Sequence, residues 1–391
     1  MAETWRVTLG RRLLLGTLDA LARPFAALLL PRQRGPVEGI WKILVVEIWS
    51  VSDVVIATTA LQALRARYPD AWLSLLAKPH AEELLRGSGL VDEVIPFVFP
   101  WTADSDEDQL SRYDRDAISS LFRRLREAKF DLTVDCRMDF RNNIVTFATH
   151  ARRRVGYAFG GGSFLLTDAI PAPPRGQHRV RDWLKLMEAL GSQRGAKAIT
   201  RSESGRPIAP RLTLLPEERH EAAAALELMG IAPRDLIVAL HVGGSHPTKR
   251  WPAERFAEVA DSLAEGYGAR IVVLVDPEGH GERLPLRTPA CYVTPSLREL
   301  MGFIGSCDLL ICNDGAPMHI ADALGVPVVA VFTSGTPRSY GPSGKHQKVV
   351  GKGAKPGEMS DVHFGDVYTA AQQQVERAIT ARAKVYGIAQ K

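Results

Sequence analysis

Cysteine is scarce in this 391-residue chain: Cys136, Cys291, Cys307 and Cys312 are the four, and no two have C-x-x-C spacing. That excludes a disulfide scaffold, a zinc knuckle and a redox dithiol, and leaves four small residues in apolar runs. No run of about 18 uninterrupted apolar residues occurs, so no segment reads as a membrane span. No G-x-G-x-x-G follows the first candidate strand, which disfavours a nicotinamide enzyme. No G-x-x-x-x-G-K-[ST] occurs, which removes the P-loop. Aromatics make up 7% of the chain and form no stripe with Lys and Arg, so no nucleic-acid partner is expected.

What is present is ordinary for a folded chain: 46% hydrophobic residues, 24% charged and a net charge of +5. The length suits two domains. The mild positive excess favours anionic small molecules or a membrane surface. Leu13 to Leu30 is the most apolar stretch. It is broken by Asp19, Arg23 and Pro24 and flanked by Arg11, Arg12, Arg32 and Arg34. Those interruptions argue against a signal peptide. Two readings stand: a basic amphipathic helix lying on an anionic membrane through residues 11–34, or a helix packed on its own protein.

After a Pro/Gly-containing linker at 31–39, strand and helix patterns alternate. The first series predicts strands over Lys42 to Ile48, Trp72 to Ala77, Val91 to Phe99, Asp131 to Cys136 and Arg153 to Tyr157, and a helix over Val54 to Arg67. The interval from Gly160 to Gln177 is rich in Gly and Pro, and 191–210 is polar and irregular. The second series predicts strands over Leu236 to His241, Ala269 to Val275, Asp308 to Cys312 and Val328 to Phe332. Helices are predicted over Trp251 to Glu265 and Pro317 to Leu324. Two such series imply an α/β chain with two parallel, doubly wound sheets. The expected division is an N-terminal extension and linker at 1–39, a first domain at 40–210 and a second at 211–391. Ligands of such sheets bind outside the carboxyl ends of the strands.

Three segments fall on those ends. Asp53 follows the first strand, where a carboxylate can accept a proton from an incoming hydroxyl; equally, Asp53 or Ser52 can cap the helix starting at Val54. Asn313-Asp-Gly-Ala-Pro-Met-His319 follows a strand and opens a helix, a place suited to phosphate and also to an ordinary capped turn. His319 fits either a phosphate contact or packing. Gly243 to Pro252 is a glycine-rich loop carrying Lys249 and Arg250, which can neutralise a diphosphate or stay solvated. The acidic run at 104–108 reads as a solvated charge run rather than a metal-binding D-x-D.

As an ordered set, these segments resemble family 9 glycosyltransferases, the heptosyltransferases of lipopolysaccharide core assembly. The likeness runs through Lys42-Ile-Leu-Val-Val to Asp53, Ala60 to Asp70, Lys78-Pro79, Val91 to Val94, Thr248-Lys-Arg-Trp-Pro252, Asn313-Asp314, Pro317-Met-His319, Ala323 to Pro327 and Gly341-Pro342. The resemblance implies a GT-B fold of two facing Rossmann-like domains and an inverting, metal-independent transfer of heptose from a nucleotide-sugar donor, ADP-heptose. It implies a lipid-linked saccharide acceptor and a cytoplasmic protein peripheral to the inner membrane. Within it, Asp53 matches the base and Lys249 a phosphate contact, with Arg250 beside it. Asp314 matches the acidic residue near the donor sugar, and Gly315, Ala316 and His319 fall on the diphosphate-binding turn. The chain departs from the family at Ser52, where Gly is usual, at Glu47, where a cation is usual, and at Thr59, often Pro. Gly315-Ala316 stands where [ST]-Gly is usual, which removes a hydroxyl and adds a methyl at the donor loop. A same-fold transferase using another nucleotide sugar, or a non-catalytic binding protein, is the alternative.

Overall fold

The computed structural model describes residues 39–102, 114–159, 161–174, 176–192, 208–354 and 359–386. The segment 11–34, the acidic run at 104–108 and residues 193–207 of the expected linker lie outside the described residues. The chain divides into two compact units, the first ending at Ile208 and the second beginning at Ala209.

The first unit runs β1 (Lys42–Glu47), α1 (Val51–Arg67), β2 (Trp72–Ala77), α2 (His80–Leu85), β3 (Glu93–Pro96), α3 (Arg115–Glu127), β4 (Leu132–Asp135), α4 (Phe140–Ala148), β5 (Arg153–Tyr157), β6 (Asp168–Ile170) and α5 (Arg179–Ser192). Its sheet is parallel throughout, in the order β3-β2-β1-β4-β5-β6. β1 is a continuous apolar run because helices cover both faces of a parallel sheet. Leu44 and Val46 point to one face and pack with Leu121 and Leu125 of α3 and Val145 of α4. Each such fully buried side chain contributes about 1.5–3 kcal/mol. α1 is buried over most of its circumference and packs against α5. Its two buried threonines are satisfied internally, Thr58 Oγ1 donating to Val55 O and Thr59 Oγ1 to Ile56 O.

The second unit runs α6 (Pro216–Leu228), β7 (Ile237–His241), α7 (Ala253–Tyr267), β8 (Arg270–Leu274), β9 (Ala290–Val293), α8 (Leu297–Ser306), β10 (Leu309–Asn313), α9 (Ala316–Leu324), β11 (Val328–Val331), α10 (Pro337–Tyr340), β12 (Gln347–Val350) and α11 (Phe364–Tyr386). Its strands are also all parallel, in the order β12-β11-β10-β7-β8-β9. Val238 and Leu240 of β7 share a core with Phe256, Val259 and Leu263 of α7 and Val367, Ala371 and Val375 of α11. Both sheets are of the Rossmann-like, doubly wound kind that the GT-B class joins in one chain.

The structure adds to and trims the elements expected from the sequence. β6, β9 and β12 were not foreseen. They are sheet-edge strands of 3 or 4 residues, mostly half-buried, too short to show alternation. The strand expected from Val91 to Phe99 shrinks to β3. α1 starts at Val51, not Val54, because Ser50 takes the N-cap. Neither Ser52 nor Asp53 is therefore the cap.

In each unit the strand order reverses once, between β1 and β4 and between β7 and β10. The carboxyl ends of those strand pairs are where such sheets take ligands.

Candidate functional site

At the β1/β4 edge, Asp53 is the third residue of α1 and half of a capping box. The Ser50 Oγ accepts from Asp53 N at 3.3 Å, and Asp53 Oδ2 accepts from Ser50 Oγ at 2.7 Å and from Ser50 N at 3.4 Å. The other carboxylate oxygen, Oδ1, pairs with Arg137 Nη1 at 3.0 Å, with both side chains buried. Arg137 comes from the end of β4 and lies 4.4 Å over the Trp49 ring. Arg141, at the start of α4, lies 5.6 Å from the Trp49 ring and 5.8 Å from the Trp101 ring, and is clamped by Asp139. Burial pushes the Asp53 carboxyl up, but the charges of Arg137 and Arg179 and the bonds from Ser50 outweigh it, so the net direction is down. Asp53 is thus an ionised carboxylate in a fixed orientation.

Two further carboxyl groups share this edge. Burial raises Glu47 to about 8, helped by the negative charge of Asp53 and opposed by Arg137 and Arg179. Burial also raises Asp135 to about 7, against hydrogen bonds from the Arg137 N–H and the Asn142 amide. Glu47 Oε1, Asp135 Oδ2 and the indole nitrogens of Trp49 and Trp101 are buried without a hydrogen-bond partner. Such a concentration of unsatisfied polar atoms is unusual in a folded protein and marks a place kept for something other than stability.

At the β7/β10 edge, Asn313 holds two loops together. Its Oδ1 accepts from Trp251 N at 3.0 Å, while its Nδ2 donates to Val242 O at 2.8 Å and Gly243 O at 3.2 Å. This brings Lys249 to the next residue along: Lys249 Nζ lies 2.7 Å from Asp314 Oδ2. Arg250 Nε donates to Gly244 O at 2.9 Å and so pins the glycine-rich loop. A Cβ on Gly243 would fall 1.9 Å from Asp276 Oδ2, so a side chain there displaces the Asp276 carboxylate. Gly315 is the N-cap of α9 with extended backbone, no side-chain hydrogen bond caps this helix, and Pro317 in its first turn carries no N–H. Asn313→Ala strips a buried residue of three bonds and is expected to cost about 2–4 kcal/mol. The check is denaturant unfolding, where a shift of under 0.5 kcal/mol would refute the bridging role.

Among the described residues, Asp276, Glu278 and His280 bring metal-binding atoms within 4.8 Å of one another. His280 Nδ1 already lies within hydrogen-bond distance of Asp276 Oδ2, at 2.8 Å. The nearby His241 imidazole is driven down to about 4 by burial and is neutral.

A family model for glycosyltransferase family 9 (heptosyltransferase) matches residues 118–369, more than half of the chain. The chain belongs to that family. Among relatives, lipopolysaccharide heptosyltransferase 2 of Salmonella typhimurium is 26% identical over 328 residues, covering 79% of this chain and 87% of that protein. Among solved structures, the family 9 glycosyltransferase from Veillonella parvula superposes with a TM-score of 0.71 at 22% identity, covering 86% of this chain and 97% of that one. The ADP-heptose lipopolysaccharide heptosyltransferase II of E. coli gives a TM-score of 0.67 at 22% identity, covering 86% of this chain and 99% of that one.

In this glycosyltransferase, the residues singled out from sequence fall into two groups. Lys249, Arg250, Asp314, Gly315, Ala316 and His319 gather at the β7/β10 edge; Asp53 belongs to the first unit. Gly315 and Ala316 are half-buried, whereas His319 is buried in the first turn of α9. A Cβ on Gly315 would meet only Pro317 Cδ at 3.7 Å, so the Gly in place of a hydroxyl residue is not a steric demand. Sequence reasoning missed Arg137, Trp49, Ser50 and the bridging role of Asn313. Arg137 carried a usable signal, since it comes directly after a predicted strand at the ligand edge.

Proposed function

We propose that this glycosyltransferase moves a heptose from ADP-heptose to a lipopolysaccharide-type, lipid-linked acceptor with inversion and without a metal cofactor. Asp53 takes the proton of the acceptor hydroxyl. The oxygen attacks the anomeric carbon from the face opposite the diphosphate. The bond from that carbon to the phosphate oxygen breaks, and its electron pair leaves on ADP. Lys249 and the positive end of α9 take up the charge that develops there, with Asp314 orienting Lys249.

The observation that carries the reading is the 2.7 Å approach of Lys249 to Asp314 beside an uncapped helix start. It is a cation held in place at a helix start that no side chain caps, which suits a diphosphate. Family membership and the E. coli relative described as an ADP-heptose enzyme support the donor. A cytoplasmic location with peripheral contact to the inner membrane through residues 11–34 completes the proposal. Among the described residues no helix is long and apolar enough to cross a membrane.

Thermal unfolding with a panel of nucleotides tests the donor. ADP at about 100 times its Kd is expected to stabilise the fold by about 2.7 kcal/mol, with UDP, GDP and CMP giving less. A larger shift with another base selects the second reading, a same-fold transferase with a different donor, which the Gly315-Ala316 pair favours. No shift with any nucleotide sinks both readings and leaves a non-catalytic protein.

A further inference from the structure

Thr333 stands just past the end of β11 and is 1% exposed. A hydroxyl buried to that degree needs an acceptor. It finds one in the carbonyl just before Lys249: Thr333 Oγ1 donates to Thr248 O at 2.7 Å, across 85 residues of chain. Thr333 is itself anchored, since its carbonyl accepts from Ser360 N at 2.6 Å and from Ser360 Oγ at 3.1 Å. Its β-branched side chain is stiff at χ1, so a fixed backbone aims the hydroxyl.

The peptide joining Thr248 to Lys249 is thereby held on both sides. Its oxygen accepts from Thr333, and its N–H donates to His246 O at 2.9 Å. The other ties of this loop act elsewhere. Asn313 holds its two ends, at Val242, Gly243 and Trp251, and Arg250 Nε reaches Gly244 O. The Thr248 hydroxyl lies 2.8 Å from His246 Nδ1 and 3.5 Å from Ser334 Oγ, which fixes that side chain rather than the peptide. The turn after Thr333 also lies against the partner of the lysine: a Cβ on Gly335 would stand 3.3 Å from Asp314 Oδ2.

Resting on the assignment of Lys249 to the departing diphosphate, we propose that Thr333 is a positioning residue for Lys249: its hydroxyl sets the peptide from which the lysine side chain springs, so that the ammonium stands where the leaving group becomes negative. A lysine is a point charge on a flexible four-carbon stem, so a salt bridge at its tip leaves its base free to drift. Asp314 holds the tip at 2.7 Å, and Thr333 holds the base. A charge assists the departure of an anion only while it is kept in place.

The test is a double-mutant cycle in kcat between Thr333→Val and Lys249→Met, with Thr333→Ser beside it. Valine keeps the shape and loses the donor. Alone it is expected to lower kcat by about five- to thirtyfold, less than the roughly 10²-fold cost of a full 1 Å misplacement, and to leave the acceptor KM unchanged. In the Lys249→Met chain it is expected to add less than about twofold, because it acts through the lysine. Serine keeps the hydroxyl and is expected to stay within about twofold of the wild type. An equal loss from valine in both backgrounds, the mark of a merely structural role, overturns the proposal, as does no loss at all. Should the valine variant not fold, Thr333→Cys takes its place as a weaker donor. A loss of about two- to fivefold that vanishes in the Lys249→Met chain then supports the proposal, and an unchanged kcat or an equal loss in both overturns it. Lys249→Met alone separates the two levels. If it keeps the wild-type kcat, the assignment of Lys249 fails and the role of Thr333 with it. If it loses kcat while Thr333→Val does not, only the role of Thr333 falls.

Discussion

Asp53→Asn is expected to lower kcat by about 10²- to 10⁴-fold, the range for loss of a positioned general base. The amide keeps the volume and most of the capping geometry at the start of α1, yet it cannot take a proton. The substitution also leaves Arg137 facing a neutral group in a buried site, which is expected to cost about 3–5 kcal/mol of stability. The two effects are separable. In the double variant Asp53→Asn/Arg137→Met the stranded cation is gone, so stability recovers while activity does not. Transfer assays and denaturant unfolding on both variants read the two effects; an Asp53→Asn variant with wild-type kcat removes Asp53 from the mechanism. The pair also predicts an acid limb of stability. The Asp53 carboxyl is held below its unfolded value of 3.8, so its contribution is present above that value and is lost as the pH falls through the lower folded one.

Lys249→Met is the second large effect. Its ammonium sits 2.7 Å from Asp314 in a turn anchored through Asn313 and Arg250. Removing a preorganised charge from the position where the leaving group becomes negative costs about 10²- to 10³-fold in kcat. ADP affinity is expected to weaken with it, while the KM for the acceptor stays near the wild-type value, because the acceptor does not touch this edge in the proposed scheme. Methionine preserves the stem of the side chain, which limits the packing loss. The partner left behind, Asp314, is controlled for by Lys249→Met/Asp314→Asn. A single variant retaining more than half of the wild-type kcat would rule out leaving-group stabilisation by Lys249.

Much of the architecture could be read from local pattern. β1, β2, β7, β10 and β11 are apolar runs bounded by turn residues, and each was foreseen within a residue or two. The edge strands β6, β9 and β12 were not, because 3 or 4 half-buried residues carry no period and form only when a neighbouring strand offers its ladder. The site divides the same way. Asp314 and Gly315 lie just past a strand end, and Lys249 lies in the glycine-rich loop after β7; all three were legible as such. The start of α1 was misplaced by three residues, since Ser50 and Val51 look like any turn until the Ser50 hydroxyl is seen to take the Asp53 N–H.

Sequence by itself determined the parallel class, the two-fold repetition of the strand-and-helix pattern and the edge on which each motif lies, because apolar period and turn chemistry act over a few residues. It also carried the ordered motifs by which the chain resembles its family. Only the tertiary structure decided the partners. Arg137 reaches Asp53 across 84 residues of chain, and Asn313 bonds Val242 across 71. Those pairings exist because each sheet reverses its strand order at one point and so sets the ends of β1 and β4, or of β7 and β10, side by side. Pairings of that kind depend on burial and distance, neither of which has any local trace in the order of residues.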